Sequence, residues 1–324
     1  MGPPGPATAG PAEPSPEPWG LEPPLARPSV VEIRLPPRPV EPPAPPPRRG
    51  PRWRWPLALF VLTCLSTYVT WGFAYAFWVM VALTAHELGH YFQARRFRVP
   101  VSLPYFIPLP LLSPFGTLGA VIAMPPHTPN RRVLFDIAAT GPIAGLIPSL
   151  VLCAVGLSMS EIRPADDPSL GGLAFGEPLV LQWMANAILG VVPEGSTIVI
   201  HPVGFAGWVG LFVTGLNLLP VGQLDGGHIL YALLRKRAHE VSSLLLSLVS
   251  AAVVVAAVAH FVYDLENYFW SWWLFVGLLH LIGARHPPTL DDAQPLGRGR
   301  TVLGWLLLLF VVVGLSPQPL IPKT

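Results

Sequence analysis

One stretch constrains this chain most: Thr84-Ala85-His86-Glu87-Leu88-Gly89-His90-Tyr91, a HExxH pattern set inside an apolar run. The residues before it read Ala74-Tyr-Ala-Phe-Trp-Val-Met-Val-Ala-Leu83. Three ionisable side chains at membrane depth are costly unless they have partners or a function. His86 and His90 are four residues apart, so on a helix both imidazoles leave one face and can share a metal ion. Glu87 is displaced by one position, which places it as the general base toward the attacking water in metal-assisted hydrolysis. In a polar helix the same pattern reads equally well as two exposed histidines. The apolar context favours the metal.

That context extends over most of the chain. Its residues are 52% hydrophobic and 12% charged, against about a quarter charged in a soluble domain. The composition is that of a polytopic membrane protein. Net charge is +2, and the basic residues lie in short clusters beside apolar runs, the pattern of orientation signals rather than of nucleic-acid binding. Cys64 and Cys153 both sit in apolar runs and suggest neither a disulfide framework nor a zinc knuckle. The N-terminus lacks the basic and apolar regions of a signal peptide. Pro6 stands where a myristoylation signal needs Ser or Thr. Residues 1–50 hold 18 of the 42 prolines, so 1–55 is expected to be a disordered, polyproline-type cytoplasmic tail. Val30–Leu35 is a candidate docking strand within it.

Seven spans are expected, at about Leu57–Trp71, Phe73–Arg95, Val133–Met159, Val203–Pro220, Val241–Val262, Tyr268–Ile282 and Val302–Leu315. Gly72 permits a tight turn between the first two. Arg48, Arg49, Arg52 and Arg54, then Arg95, Arg96 and Arg98, then Arg131 and Arg132, then Arg235, Lys236 and Arg237, then Arg285, Arg298 and Arg300 all fall on one side, the cytoplasmic one. Residues 99–126 are apolar but broken by prolines and glycines, so they cannot form a regular helix. Their entrance and exit share a side. A re-entrant element covered by protein fits, with strands near Val101–Ile107 and Thr117–Met124. The acidic loop 160–200 faces the other side, and Leu179–Val192 within it is expected to lie flat on the membrane.

Two histidines leave a catalytic metal one protein ligand short. Asp225, in Val221-Gly-Gln-Leu-Asp225-Gly-Gly-His228, is the candidate. It lies at the cytoplasmic end of its span, as His86 and His90 do, and Pro220, Gly222, Gly226 and Gly227 interrupt the helix around it. The alternative is a solvated Asp in a helix-ending turn. His228 is either a partner behind the ligands or an interfacial histidine. Asn217, two turns before Asp225, is placed either to contact the substrate carbonyl or its oxyanion or to bond a neighbouring helix. His127, His201, His239, His260, His280 and His286 have no metal spacing and are read as loop or interfacial residues.

HELGH joined to Asn217-Leu-Leu-Pro-Val-Gly-Gln-Leu-Asp225-Gly-Gly-His228 resembles the site-2 protease family of intramembrane zinc metalloproteases. Leu103-Pro-Tyr-Phe-Ile-Pro108, Gly116-Thr-Leu-Gly-Ala120, Phe135-Asp-Ile-Ala-Ala-Thr-Gly-Pro142 and His201-Pro-Val-Gly-Phe-Ala-Gly-Trp208 are similar to its branch of plant chloroplast and many bacterial members. The resemblance covers about residues 57–315. It implies His86, His90 and Asp225 as ligands of one zinc ion, Glu87 as catalytic base, and a membrane-embedded sheet after HELGH that pairs with an unwound substrate. The 160–200 loop is too short for the PDZ domain of another branch, and 284–300 is too short for a nucleotide-sensing domain.

The expectation is therefore an all-α polytopic protein with about seven transmembrane helices and a small re-entrant β element. Residues 56–316 form the metalloprotease domain, with its catalytic core at about 73–230, and 317–324 form a short tail. The function expected is that of an intramembrane zinc endopeptidase. Its partners are the bilayer and transmembrane protein substrates, pre-cleaved by another protease, with no nucleic acid. A prenyl-protein-processing protease would take a Glu as third ligand, and no downstream Glu has a suitable apolar context. A non-hydrolytic transporter or metal-binding chaperone is the alternative from another class. The N-terminus lacks the Arg/Ser-rich character of a transit peptide, which points to a bacterial inner membrane.

Overall fold

The computed structural model describes residues 1–2, 53–125, 128–167, 173–265 and 269–322. The Pro-rich tail up to Arg52, its candidate strand Val30–Leu35, His127 and Tyr268 lie outside the described residues. The chain divides into two compact units, Met1–Arg48 and Arg49–Thr324, and every element below belongs to the second.

The first element, α1 (Arg54–Arg96), is interrupted at Gly72, where φ is 80° and ψ −179°. Only glycine adopts that backbone freely, and here it reverses the chain. Arg54, Trp55 and Ala58 line the same cavity as Tyr91 and Arg95. At about 1.5 Å per residue, the two ends of a 43-residue helix meet only if its halves fold back on each other. The turn expected at Gly72 is thus present.

Next comes an antiparallel hairpin of β1 (Tyr105–Pro108) and β2 (Thr117–Val121), with Tyr105 opposite Val121 and Phe106 opposite Ala120. The strands are shorter than expected. Pro100, Pro104, Pro108 and Pro110 remove donors from the first arm, although Ser102 N still donates to Ala123 O at 3.1 Å. Side chains of α1 hold the hairpin tip: Trp71 Nε1 donates to Pro114 O at 2.7 Å, Tyr75 OH to Phe115 O at 2.9 Å, and Ser66 Oγ to Gly116 O. The base is held at the other end, where Val99 N donates to Ala94 O at 2.9 Å.

Asn130 caps α2 (Arg131–Ser158) by accepting from Val133 N. The acidic segment contributes β3 (Glu161–Pro164), β4 (Leu173–Phe175), α3 (Leu179–Leu189) and β5 (Ser196–Val199), with β3 paired to β5. Then follow α4 (Pro202–Asn217), α5 (Asp225–Leu234), α6 (Arg237–Tyr263), a 3₁₀ turn at Phe269–Trp272, α7 (Trp273–Ile282), α8 (Arg298–Gly314) and β6 (Leu320–Pro322), which pairs with β4.

The second half of α1, α2 and α4 pack on one another. α4 is buried on nearly every side, from Val203 to Phe212. Phe205, Trp208 and Phe212 stack along it, and Trp208 Nε1 donates to Gly176 O at 3.1 Å. Outside this core the surface is apolar. Leu62, Leu65 and Val69 of α1 and Leu244, Leu248 and Val255 of α6 are all more than half exposed, a surface suited to lipid rather than water.

Among the described residues, three helices are long and apolar enough to cross a membrane: Arg54–Arg96, Arg131–Ser158 and Arg237–Tyr263. The first contains two of the expected spans. The helices α2 and α6 correspond to two more, and the remaining three fall on shorter helices, with α4 at 16 residues, α7 at 10 and α8 at 17. Cys64 and Cys153 are free thiols, Cys153 being buried.

Candidate metal centre

The second half of α1 presents His86 and His90 on its inner face, and both are buried with Glu87. α2 can approach that face because it has glycine where the imidazoles lie. A methyl group on Gly141 would collide with His90 Nε2, and one on Gly145 would lie 2.9 Å from His86 Cβ and Nδ1. These glycines form a G-x-x-x-G spacing, a signal for close helix packing.

Asp225 arrives from the other direction, as the first residue of α5, where the helix N-terminus favours a negative charge. A methyl on Gly226 would strike the carbonyl oxygen of Leu218, so the loop from α4 folds tightly over this turn. His86 Nε2, His90 Nε2 and Asp225 Oδ2 are each 3.2 Å from the other two, and they form a possible metal-holding group.

This arrangement fits a zinc ion. Tetrahedral bonds of about 2.0–2.1 Å put ligand atoms roughly 3.3 Å apart. His90 Nδ1 donates to Ile137 O at 2.8 Å, which leaves Nε2 as the atom turned toward the centre. Nε2 lies 3.2 Å from a carboxylate oxygen, and a cation bound between the two would be held by both. Two imidazoles and one carboxylate leave a fourth tetrahedral position for water or substrate.

Asn217 is brought to the same centre, its Nδ2 lying 3.4 Å from His86 Nε2. Thr214, one turn earlier on α4, places Oγ1 3.4 Å from His86 Nδ1. Neither Thr214 nor the Ile137 carbonyl was singled out from the sequence. A backbone carbonyl has no signature in residue type, and Thr214 is visible only as the residue one helical turn before Asn217.

His228 does not reach the three donor atoms. Its Nδ1 shares a hydrogen bond with His286 Nε2. His286 lies in the loop between α7 and α8, as expected, but it is buried and stacks on the Tyr231 ring at 4.4 Å. Burial, and then the neighbouring His228, push the His286 pKa down to about 3, so the imidazole is neutral. Tyr231 OH donates to Asp292 Oδ2 at 2.7 Å. Burial and that bond push the phenol up to about 12. Of the other histidines set aside, His201 accepts from Val203 N at the start of α4, and His280 Nδ1 lies 2.8 Å from Val276 O.

With this geometry in place, residues 74–260 match the model of Peptidase family M50, and the chain belongs to that family. It is 33% identical over 258 residues to "Probable zinc metalloprotease EGY1, chloroplastic" of Arabidopsis thaliana, covering 78% of this chain and 44% of the relative. To the protein of the same name in Oryza sativa subsp. japonica it is 36% identical over 178 residues, 54% and 30% of the two. To "Probable zinc metalloprotease EGY3, chloroplastic" of Oryza sativa subsp. indica it is 30% identical over 257 residues, 73% and 40%. The chain spans less than half the length of these curated relatives. No solved structure matches it. The resemblance to site-2 proteases of the plant chloroplast branch therefore holds. The relatives' names place them in chloroplasts, so they lend nothing to a bacterial membrane.

Proposed function

We propose that this chain is an intramembrane zinc endopeptidase acting on peptide bonds of transmembrane protein substrates. The observation that carries the proposal is the convergence of His86, His90 and Asp225 at 3.2 Å, beside Glu87, in a chain of Peptidase family M50. His86, His90 and Asp225 would hold the ion. Zinc bound there supplies Lewis acidity, polarising the scissile carbonyl and lowering the pKa of water towards about 7. Glu87 takes the proton from the attacking water and delivers it to the leaving amine as the carbon–nitrogen bond breaks. Asn217 Nδ2 donates to the carbonyl oxygen as negative charge develops on it. The Ile137 carbonyl keeps His90 in the tautomer whose Nε2 faces the centre.

The proposal includes seven spans: the two halves of α1, then α2, α4, α6, the segment ending in α7, and α8. α4 need not match the bilayer thickness of about 30 Å, because protein surrounds it. The β1–β2 hairpin is read as the re-entrant element. Its tip is bonded near Trp71 and Tyr75 and its base near Ala94, positions well separated along α1. An unwound substrate segment adds to the free edge of this hairpin. It arrives pre-cleaved by another protease, with one end free to unwind. The concentration of basic residues at the Arg95 end supports a cytoplasmic position for that end, and the N-terminus is read as lying with it. In this reading 1–55 is a tail, 56–316 the protease domain with a core at 73–230, and 317–324 a short terminal segment.

Glu87→Gln tests the mechanism. The variant is expected to retain one zinc per chain and to lose cleavage of a transmembrane substrate in proteoliposomes. Retained cleavage would overturn it.

A further inference from the structure

Two side chains from the last part of the chain reach the elements that carry the metal site. Arg300, in the first turn of α8, forms a two-pronged ion pair with Asp136. Nε donates to Oδ1 at 2.7 Å and Nη2 to Oδ2 at 2.9 Å. Asp136 immediately precedes Ile137, whose carbonyl holds His90. His286, between α7 and α8, is bonded to His228, which lies one turn along α5 from Asp225.

The stretch between these two residues is fastened as well. Leu290 N donates to Thr128 O at 3.0 Å, and Arg131 Nη2 donates to Gln294 O at 2.7 Å. Tyr231 on α5 is joined to Asp292. One segment therefore ties the start of α2 to α5.

That tie has a consequence for the donor atoms. His90 and Asp225 are 135 residues apart in the chain and belong to different helices. Their spacing depends on how α5 sits against α1 and α2. α5 is only 10 residues long, too short to be stable by itself. It begins after the Val221–Leu224 loop and ends at Arg235, where φ is 56°. Its place is set by what it packs on. A metal site tolerates only about 0.5 Å of misplacement.

We propose that residues 286–300 are a clamp belonging to the metal centre. Arg300 is a positioning residue for His90, acting through Asp136 and the Ile137 carbonyl. His286 is a positioning residue for Asp225, acting through His228. The clamp rests on the reading of His86, His90 and Asp225 as the metal ligands. The planar fork of Arg300 matches a carboxylate in a way that a lysine ammonium cannot.

The experiment measures zinc affinity of the detergent-purified full chain by chelator competition, together with thermal unfolding of the metal-free protein and the visible spectrum after loading with Co²⁺. Arg300→Lys and His286→Asn are each expected to weaken zinc binding roughly 10–100-fold and to shift the cobalt spectrum. Arg285→Gln, at an exposed position just before the clamp, is expected to change neither. The double variant Asp136→Asn/Arg300→Gln is expected to bind no more weakly than either single variant, because the pair acts as one unit. Wild-type affinity in both Arg300→Lys and His286→Asn would overturn the clamp. So would losses that follow only a lowered metal-free unfolding temperature with an unaltered cobalt spectrum. If the wild type binds no zinc, the ligand reading itself fails. Tight wild-type binding with unaffected variants removes the clamp alone.

Discussion

The two halves of α1 are both apolar helices that turn back on each other at Gly72, yet only the second carries ionisable groups on its buried face. In the first half the buried polar residues are hydroxyls. Thr63 Oγ1 donates to Leu59 O at 2.8 Å and Thr67 Oγ1 to Thr63 O at 2.8 Å. Thr63 and Thr67 find partners within their own helix, and Ser66 Oγ reaches Gly116 O of the hairpin. In the second half His86 and His90 draw partners from α2, α4 and α5: the Ile137 carbonyl, Thr214, Asn217 and Asp225. The ionisable cluster is buried where several elements converge on it, whereas the outward face of the first half is exposed and apolar.

The contrast breaks most easily where the second half is approached most closely. Gly141→Ala inserts a methyl group against His90 Nε2. Zinc affinity is expected to fall by about 100-fold, read by chelator competition. Near-wild-type affinity would mean that α2 does not press on the ligands. A smaller effect is expected where the two halves meet at the hairpin tip. Tyr75→Phe removes the donor to Phe115 O and leaves a buried carbonyl unpaired. It is expected to cost about 1 kcal/mol of stability in detergent unfolding, with zinc affinity unchanged. Smallest of all is Leu65→Ala, on the outward face of the first half. Its expected effect is within about 0.5 kcal/mol, again with no change in zinc content. A large effect there would show that this face is covered by protein rather than lipid.

How much of the site is legible in the chain differs from residue to residue. His86, Glu87 and His90 announce themselves by spacing and context, and Asp225 by the helix-breaking residues around it. Asn217 was open to two readings, and the structure puts its amide at the centre. His286 was set aside because it has no metal spacing to any histidine. Its importance lies in a bond to His228, 58 residues earlier, which no local pattern encodes. In the sequence Arg300 reads as an orientation signal, and Asp136 stands only within a motif of the family resemblance. Their pairing across 164 residues shows only when α8 is packed on α2. The G-x-x-x-G spacing of Gly141 and Gly145 was present in the sequence and needed only to be read as a packing signal.

By itself, the sequence determined that this chain carries helices long and apolar enough to cross a membrane, that it turns at Gly72, that prolines break the segment after HELGH, and that two imidazoles share a helix face. Each of these follows from local stereochemistry or from solvent preference, which act on neighbouring residues. Only the tertiary structure decided that Asp225 lies 3.2 Å from both histidines, that His90 is fixed by the Ile137 carbonyl, and that residues 286–300 join α2 to α5. Those contacts depend on how whole helices pack, and packing is set by the sum of many weak contacts rather than by any single stretch of chain.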